Sequence, residues 1–473
     1  SLSAPAEAPQ PAAREAAAPM PADNTRMAKP GKKTKAQTPA AYAATNRPAE
    51  AERLFRSEAV EQEIARIKGV LTNAKLAWMF ENCFPNTLDT TVRARKDANG
   101  KDDTIVYTGD IHAMWLRDSA MQLLPYMNMA DVDVVARALR GVVLQQAYFI
   151  QIDPYANAFN RKPDGSCFCA DHTRMNPWVW ERKYEVDSLA FFLFFLEAYF
   201  RQTKDSTVLT ETVVYAVQAV LEVWRTEQKH AECSSYRFER DSPLKTETLS
   251  NGGRGTPVGY TGMTWSGFRP SDDACEMHYL IPANMLAVSV LNRLQELPLP
   301  DAILKSAKTL AWEIDSGIQK FGVVEHPRYG RIYAYEVDGL GNYVLMDDAN
   351  LPSLLGAPWY GYCQPEDAIY KNTRRFLLSK DNPYYFRGKF GAGIGSQHTR
   401  KGYIWPIALA VQGLTATSLE EKKKILAMLF STTADTYHMH ESFDANDPAH
   451  FTRAWFAWAD SMLCLLVQQI YKL

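Results

Sequence analysis

From Glu52 onward, Ile64, Ile67, Leu71, Ala74 and Trp78 recur three or four residues apart, the spacing of one face of an amphipathic helix. Stretches of the same character follow over 115–129, 131–152, 185–202, 207–228, 280–296, 301–320, 348–356, 365–378, 402–416, 418–432 and 449–471. With the first they make twelve, the number that six helical hairpins closed into a ring require. Two stretches read instead as β-hairpins: Thr91-Val-Arg-Ala-Arg95 against Thr104-Ile-Val-Tyr107 around Asn99-Gly100, and Arg331-Ile-Tyr-Ala-Tyr-Glu336 against Asn342-Tyr-Val-Leu345 around Gly339 to Gly341. The expected class is therefore all-α, with small β-hairpin insertions on a helical body. No repeat of 20 to 50 residues is visible in the sequence.

Residues 1–48 break from this pattern. They are rich in Ala and Pro, carry scattered charges and contain almost no large apolar side chains, so they cannot bury enough surface to offset the entropy of ordering. The expected organisation is a flexible N-terminal segment over 1–48 and one folded domain over 49–473. At 46% hydrophobic and 12% aromatic residues, the chain can build a large core. A net charge of -2 gives no long-range field for nucleic acid or anionic membrane, and no apolar run reaches the ~18–20 residues that span a bilayer. A neutral polymer such as a glycan suits that balance, and the 11 Trp and 23 Tyr include apolar faces that pyranose rings can lie against. The chain begins with Ser, so an exported, periplasmic location is expected if a targeting segment was removed, with the cytoplasm as the alternative.

The connecting segments carry the chemistry. Five are dense in Trp, Arg, Asp, Glu and His: Gly109-Asp-Ile-His-Ala-Met-Trp-Leu-Arg-Asp118, Gly262 to Asp273, Asp347-Asp-Ala-Asn-Leu-Pro-Ser353, Gly393-Ile-Gly-Ser-Gln-His-Thr-Arg400 and His438-Met-His-Glu-Ser-Phe443. Each alone has an ordinary explanation, such as an Arg117/Asp118 pair at a helix start, Asp347-Asp348 as a helix cap, or His440-Glu441 as a surface pair. Together they match glycoside cleavage, which needs one carboxylic acid to protonate the leaving oxygen and one carboxylate to activate water or attack the anomeric carbon. No Gly-x-Gly-x-x-Gly loop, Walker loop or Gly-x-Ser-x-Gly elbow is present, which argues against nucleotide cofactors and serine hydrolase chemistry. His438-x-His440-Glu441, and Cys167-x-Cys169 with Asp171-His172, are fragments of metal sites without a complete ligand set, so neither a metal nor another cofactor is expected.

Over about residues 50–473 the chain resembles glycoside hydrolase family 125, the bacterial and fungal exo-α-1,6-mannosidases. The resemblance rests on Gly109 to Ser119, Thr261 to Asp273, Met346 to Ser353, Gly395-Ser-Gln-His-Thr399 and His440-Glu-Ser-Phe443. It implies an (α/α)6 barrel and an inverting mechanism without metal, acting on a mannose-containing oligosaccharide. It places the general acid on Asp272 or Asp273 and the general base on Glu441. By the same resemblance Trp115, Arg117, Asp118, Trp265, Arg269, Asp348, Asn350, Gln397, His398 and His440 are candidates for holding the terminal mannose. The acid is expected to be the more desolvated of the two catalytic carboxyls, and the pair to lie ~6.5–9.5 Å apart. Two other readings remain open at this stage: the same barrel acting on another sugar, as in glucoamylase-like or trehalase-like hydrolases, and a glycan-binding protein with a decayed site.

Overall fold

Leu71-Thr72-Asn73 divides the first periodic stretch. In the computed structural model of the protein, which describes residues 42–473, helix α1 (Glu58–Val70) ends at an extended Leu71 and α2 (Ala74–Cys83) starts afresh. Each has its own cap: Ser57 Oγ accepts the Val60 N–H and Asn73 Oδ1 accepts the Leu76 N–H. The further long helices are α3 (Leu116–Leu123), α4 (Asp133–Ile152), α5 (Val186–Thr203), α6 (Glu211–Glu227), α7 (Ile281–Arg293), α8 (Asp301–Phe321), α9 (Ala368–Leu377), α10 (Pro406–Thr415), α11 (Leu419–Ser431) and α12 (Ala457–Tyr471).

These helices form two layers. Helices α3, α5, α7, α10 and α12 are buried almost all round, as the unbroken apolar run Leu189–Leu196 in α5 requires, whereas α8 buries one stripe and leaves Trp312 in solvent. In the inner layer α12 packs on α3, α3 on α5, α5 on α7, and α10 on α12. Outside them α2 lies on α12, α4 on α5 and α6, α8 on α6 and α7, and α11 on α10 and α12. The gap between α7 and α10 is closed by residues 347–360. There Ser289 Oγ of α7 donates to Tyr360 O at 2.5 Å, and Gly356 approaches Val411 of α10 so closely that an added Cβ would lie 3.4 Å from it. The result is an (α/α)6 barrel in which one inner position is irregular, with α1 an addition packed on α2.

That irregular segment corrects the helix expected over 348–356. Pro352 has no N–H to give to a helical ladder, and the Asp347 carboxylate instead reaches along the segment to accept the Leu354 and Leu355 N–H groups at 3.0 Å each. Two other expectations shift. The helix foreseen over 449–471 begins only at Ala457, because Asp447–Thr452 is a strand paired with Ser442–Asp444. The hairpin over 331–345 is also rearranged: Gly330–Tyr333 pairs with Val323–His326, while Glu336–Val337 pairs with both Tyr343–Val344 and Tyr279–Leu280. The hairpin at Val92–Lys96 and Asp102–Val106 forms as expected.

Short strands lead into the inner helices: Met114–Trp115 before α3, Val179–Glu181 before α5, Tyr279–Leu280 before α7 and Tyr403–Ile404 before α10. The polar loops are thereby delivered to the helix N-termini. Of the Ala/Pro-rich segment, residues 1–41 lie outside the described residues. Residues 42–48 lie against the body, where Tyr42 packs on Trp78 and Arg47 bonds Asp89 and Glu61. Among the described residues no helix is long and apolar enough to cross a membrane, and the seven cysteines are free thiols.

Candidate active site

Trp115 is the N-cap residue of α3, so Arg117 and Asp118 fall in its first turn, beside the first turn of α5 with Glu185 and Asp187. Arg117 is the hub. Its Nη1 donates to Asp118 Oδ1 at 3.0 Å, Nη2 to Asp272 Oδ1 at 2.9 Å and Nε to Pro270 O at 3.0 Å. Nη2 also lies 3.6 Å from Glu185 Oε2, and Nε 3.4 Å from Asp187 Oδ2. Four carboxyl groups thus share one guanidinium inside the protein, a density of negative charge that they cannot all carry. Burial raises Asp118, pushes Asp187 up to about 7 and lifts Glu185 well above the carboxylate range. Burial would raise Asp272 too, but the Arg117 guanidinium, with Lys183 and His398 acting through space, outweighs it and holds Asp272 at about 2.

Asp272 sits at the tip of a tight turn in which its N–H donates to Arg269 O at 2.9 Å and the Arg269 N–H donates to Asp273 O at 2.7 Å. Its φ of 66° is a left-handed conformation that a non-glycine residue adopts at a cost, and such strain concentrates at functional sites. Asn157 Nδ2 donates to the Asp272 carboxylate at 3.3 Å and Lys183 Nζ to its backbone oxygen at 2.8 Å. From below, Arg269 fixes the turn through a fully buried, bidentate pair with Glu336 at 2.6 and 2.8 Å, while its Nη1 donates to Gln397 Oε1 at 3.0 Å. A lysine cannot reproduce that fork. Arg269→Lys should therefore cost about 1–3 kcal/mol of stability by leaving either Glu336 Oε2 or Gln397 Oε1 without its donor, measured by denaturant unfolding.

Asp273 turns the other way, to His398, whose Nδ1 lies 3.0 Å from Asp273 Oδ1. Burial would lower His398, but Asp273, with Glu441 and Asp272 acting through space, drives it up to about 10. The imidazole is thus cationic at neutral pH and lies within electrostatic reach of all three acids. A histidine raised from ~6.5 in the unfolded chain contributes its full stability below that value and loses it as pH rises through about 10. The difference in melting temperature between wild type and His398→Gln should therefore be largest below pH ~6.5 and at least halve by pH 10. Asp348, raised by burial, accepts Ser396 Oγ at 2.6 Å and Asn350 N and Nδ2 at 3.0 and 2.8 Å, so it fixes the start of the turn carrying Gln397 and His398.

Glu441 precedes the strand Ser442–Asp444. Thr452 Oγ1 donates to its Oε1 at 3.1 Å, and Arg453 Nη1 lies 3.5 Å from its Oε2. Arg453 is steadied by Asp110 at 2.5 Å and by the Phe456 ring below it.

Arg117, Asp118, Asp272, Asp273, His398 and Glu441 are therefore brought together, with Arg269, Asp348, Asn350 and Gln397 bracing them, while Trp115, two residues before Arg117, packs on Ala113 and Ala158. Two residues expected to touch a sugar lie elsewhere. Trp265 is wholly buried, stacked on His230 at 3.6 Å, and His440 is sealed against Phe451 at 3.7 Å with both ring nitrogens at backbone oxygens. Burial lowers His440, which supports the segment that presents Glu441. In the metal-like fragments, Cys169 Sγ stays 3.1 Å from Asp171. Asp171 is held by Arg240, while His438 joins Asp460 and Cys83, a group within 4.8 Å whose Asp460 already accepts the Met439 N–H. The residues missed from the sequence are Glu185, Asp187, Asn157, Lys183 and Arg453. Only the charged run Arg182-Lys-Tyr-Glu-Val-Asp187, leading into the apolar helix α5, offered a signal.

The sequence profile of the family described as metal-independent α-mannosidase (GH125) matches residues 73–468. The meiotically up-regulated gene 157 protein of Schizosaccharomyces pombe is 40% identical over 450 residues, covering 90% of this chain and 88% of its own. A Streptococcus pneumoniae metal-independent α-mannosidase, solved in a non-productive complex with α-1,6-mannobiose, is 42% identical, with a TM-score of 0.85 over 89% of this chain and all of its own. A wild-type glycosidase at 14% identity and a TM-score of 0.51, covering 87% of this chain and 98% of its own, shares the fold alone.

Proposed function

The chain belongs to the glycoside hydrolase family of metal-independent α-mannosidases, GH125, and within it we propose an exo-acting, inverting α-1,6-mannosidase that releases the terminal non-reducing mannose from mannosides, N-glycans or mannan-type glycans. The observation that carries this reading is the meeting of Asp272 and Glu441, from loops far apart in sequence, around the cationic His398. Glu441 is the general base that takes a proton from water, and Asp272 is the general acid that protonates the leaving oxygen. The choice of Asp272 over Asp273 rests on access. The Asp272 side chain is 27% exposed, whereas that of Asp273 is 4% exposed and spent on His398 and Ser271. Asp118, Asp348, Asn350, Gln397, Arg117 and Trp115 supply hydrogen bonds and an apolar face for the mannose ring. The relative from S. pneumoniae, bound to α-1,6-mannobiose, supports the linkage. In this reading 49–473 is the catalytic domain, with residues 42–48 packed on it.

Asp272 departs from the expectation that the acid is the more desolvated carboxyl, since Glu441 is only 4% exposed. The groups that keep a proton at the site are its buried neighbours. The test is incubation with α-1,2-, α-1,3-, α-1,4- and α-1,6-mannobiose. Mannose should be released from the 1,6-linked disaccharide at least ~100-fold faster than from the others, a difference of ~2.7 kcal/mol in transition-state binding. Preference for another linkage would overturn the reading.

A further inference from the structure

The guanidinium nitrogen Nη2 of Arg117 faces two carboxyl groups at once, Asp272 at 2.9 Å and Glu185 at 3.6 Å. The other oxygen of Glu185, Oε1, is buried without a hydrogen-bond partner, so Asp272 and Glu185 crowd one cation with little else to stabilise a second negative charge. Two ionised carboxylates offer only acceptors to each other, so a pair crowded on one guanidinium nitrogen is relieved when one of them carries a proton. Glu185 is fully buried at the N-cap position of α5, with Ser188 Oγ donating to its Oε2 at 2.9 Å. Asp272 reaches the accessible side.

We propose that Glu185 is the proton reservoir of the acid: a positioning residue that never touches the sugar, but holds the proton that Asp272 passes to the leaving oxygen. The proposal rests on Asp272 being the general acid. At rest the pair carries one proton, on Glu185. It crosses to Asp272 as substrate fills the site, and Asp272 gives it to the glycosidic oxygen as the C1–O bond breaks and its electron pair goes to that oxygen. Water adds its oxygen to C1 and its proton to Glu441, so the pair loses one proton and the base gains one. Solvent then restores both. Between these events Glu185 and Asp272 are both ionised, and Arg117 lies against both.

The groups facing Glu185 explain why the proton is stored there. Arg117 comes from α3 and favours the ion; Asp272 from the turn and Asp187 from its own helix oppose it, and its complete burial opposes it most. Lys183, just before α5, donates to Asp272 O, and Asp118 bonds the far side of Arg117. An amide in place of Glu185 would leave Asp272 beside Arg117 with no proton to draw on. The activity of wild type should fall on the alkaline side as the pair deprotonates. In Glu185→Gln that limb should move to lower pH by at least about one unit, since a lone carboxyl beside Arg⁺ gives up its proton earlier.

The experiment compares wild type, Glu185→Gln, Glu185→Asp and Asp272→Asn on α-1,6-mannobiose and on 2,4-dinitrophenyl α-mannoside, whose leaving group needs no proton. Glu185→Gln should lose at least ~100-fold in kcat on the disaccharide but no more than ~10-fold on the aryl mannoside, with KM within ~3-fold. Glu185→Asp should restore part of kcat and the alkaline limb. Equal losses on both substrates, or an unmoved alkaline limb, would overturn the proposal. If Glu185→Gln does not fold, Glu185→Asp decides by the same limb: an unchanged profile in the folded variant overturns it. Asp272→Asn separates the two levels. If it lacks the leaving-group dependence, the assignment of the acid fails; if it shows it and the Glu185 variants do not, only the reservoir fails.

Discussion

Glu441→Gln lowers kcat on α-1,6-mannobiose by about 10²–10⁴-fold, with little change in stability. General-base assistance is typically worth that much, and an inverting site has no covalent intermediate through which to bypass it. The amide keeps the shape of the side chain and can still accept from Thr452 Oγ1, so the fold is expected to stand. What it loses is the ability to take a proton from water. Azide, which needs no deprotonation to attack, should restore part of the turnover and give β-mannosyl azide. Near-normal rates in this variant, or no rescue by azide, would remove Glu441 from the role of base. The measurement is steady-state release of mannose, with the azide product identified by NMR.

Asp272→Asn should have a loss of similar size, about 10²–10⁴-fold, but one that depends on the leaving group. Asparagine can still accept from Arg117 and Asn157, and it keeps the turn if it tolerates the φ of 66°, which asparagine does better than most residues. On a dinitrophenyl mannoside, where the departing oxygen is stable as an anion, the loss should shrink to about tenfold or less. Asp273→Asn should behave differently, because it removes the counter-ion of His398 and not a proton donor. Its loss should be the same on both substrates. If Asp273→Asn shows the leaving-group dependence and Asp272→Asn does not, the acid is Asp273.

The periodic helices were the most legible part of the chain. Helices α4 to α8 and α9 to α11 lie within a few residues of the stretches read from apolar spacing, because their burial is one-sided or complete over several turns. The spacing failed where a polar group or a proline overrode it. Asn73 caps a new helix inside a continuous apolar face, and at Asp347 to Tyr360 Pro352 and the reach of Asp347 replace the helical ladder. Alternation in His450-Phe-Thr452 was absorbed into the pattern of the helix that follows.

The site was legible as a set of loops but not as a set of roles. Asp272, Asp273, His398 and Glu441 stood out because charged residues cluster in segments that are otherwise turns. Glu185 and Asp187 did not, since acids at a helix start have an ordinary reason to be there. Their proximity to Arg117 depends on α3 and α5 packing side by side, which no local pattern encodes. Trp265 and His440 failed for the opposite reason. An aromatic or imidazole ring inside a polar loop looks like a sugar contact, yet both rings are consumed by stacking in the core.

The stereochemistry of the released sugar tests the central claim most directly, because it depends on which face water attacks and therefore on the placement of Asp272 and Glu441 around the anomeric carbon. Proton NMR recorded in the first minutes of α-1,6-mannobiose hydrolysis should show the anomeric signal of β-mannose rising first, with α-mannose following by mutarotation. If α-mannose appears first, the reaction retains configuration, and Glu441 is not the base of an inverting pair.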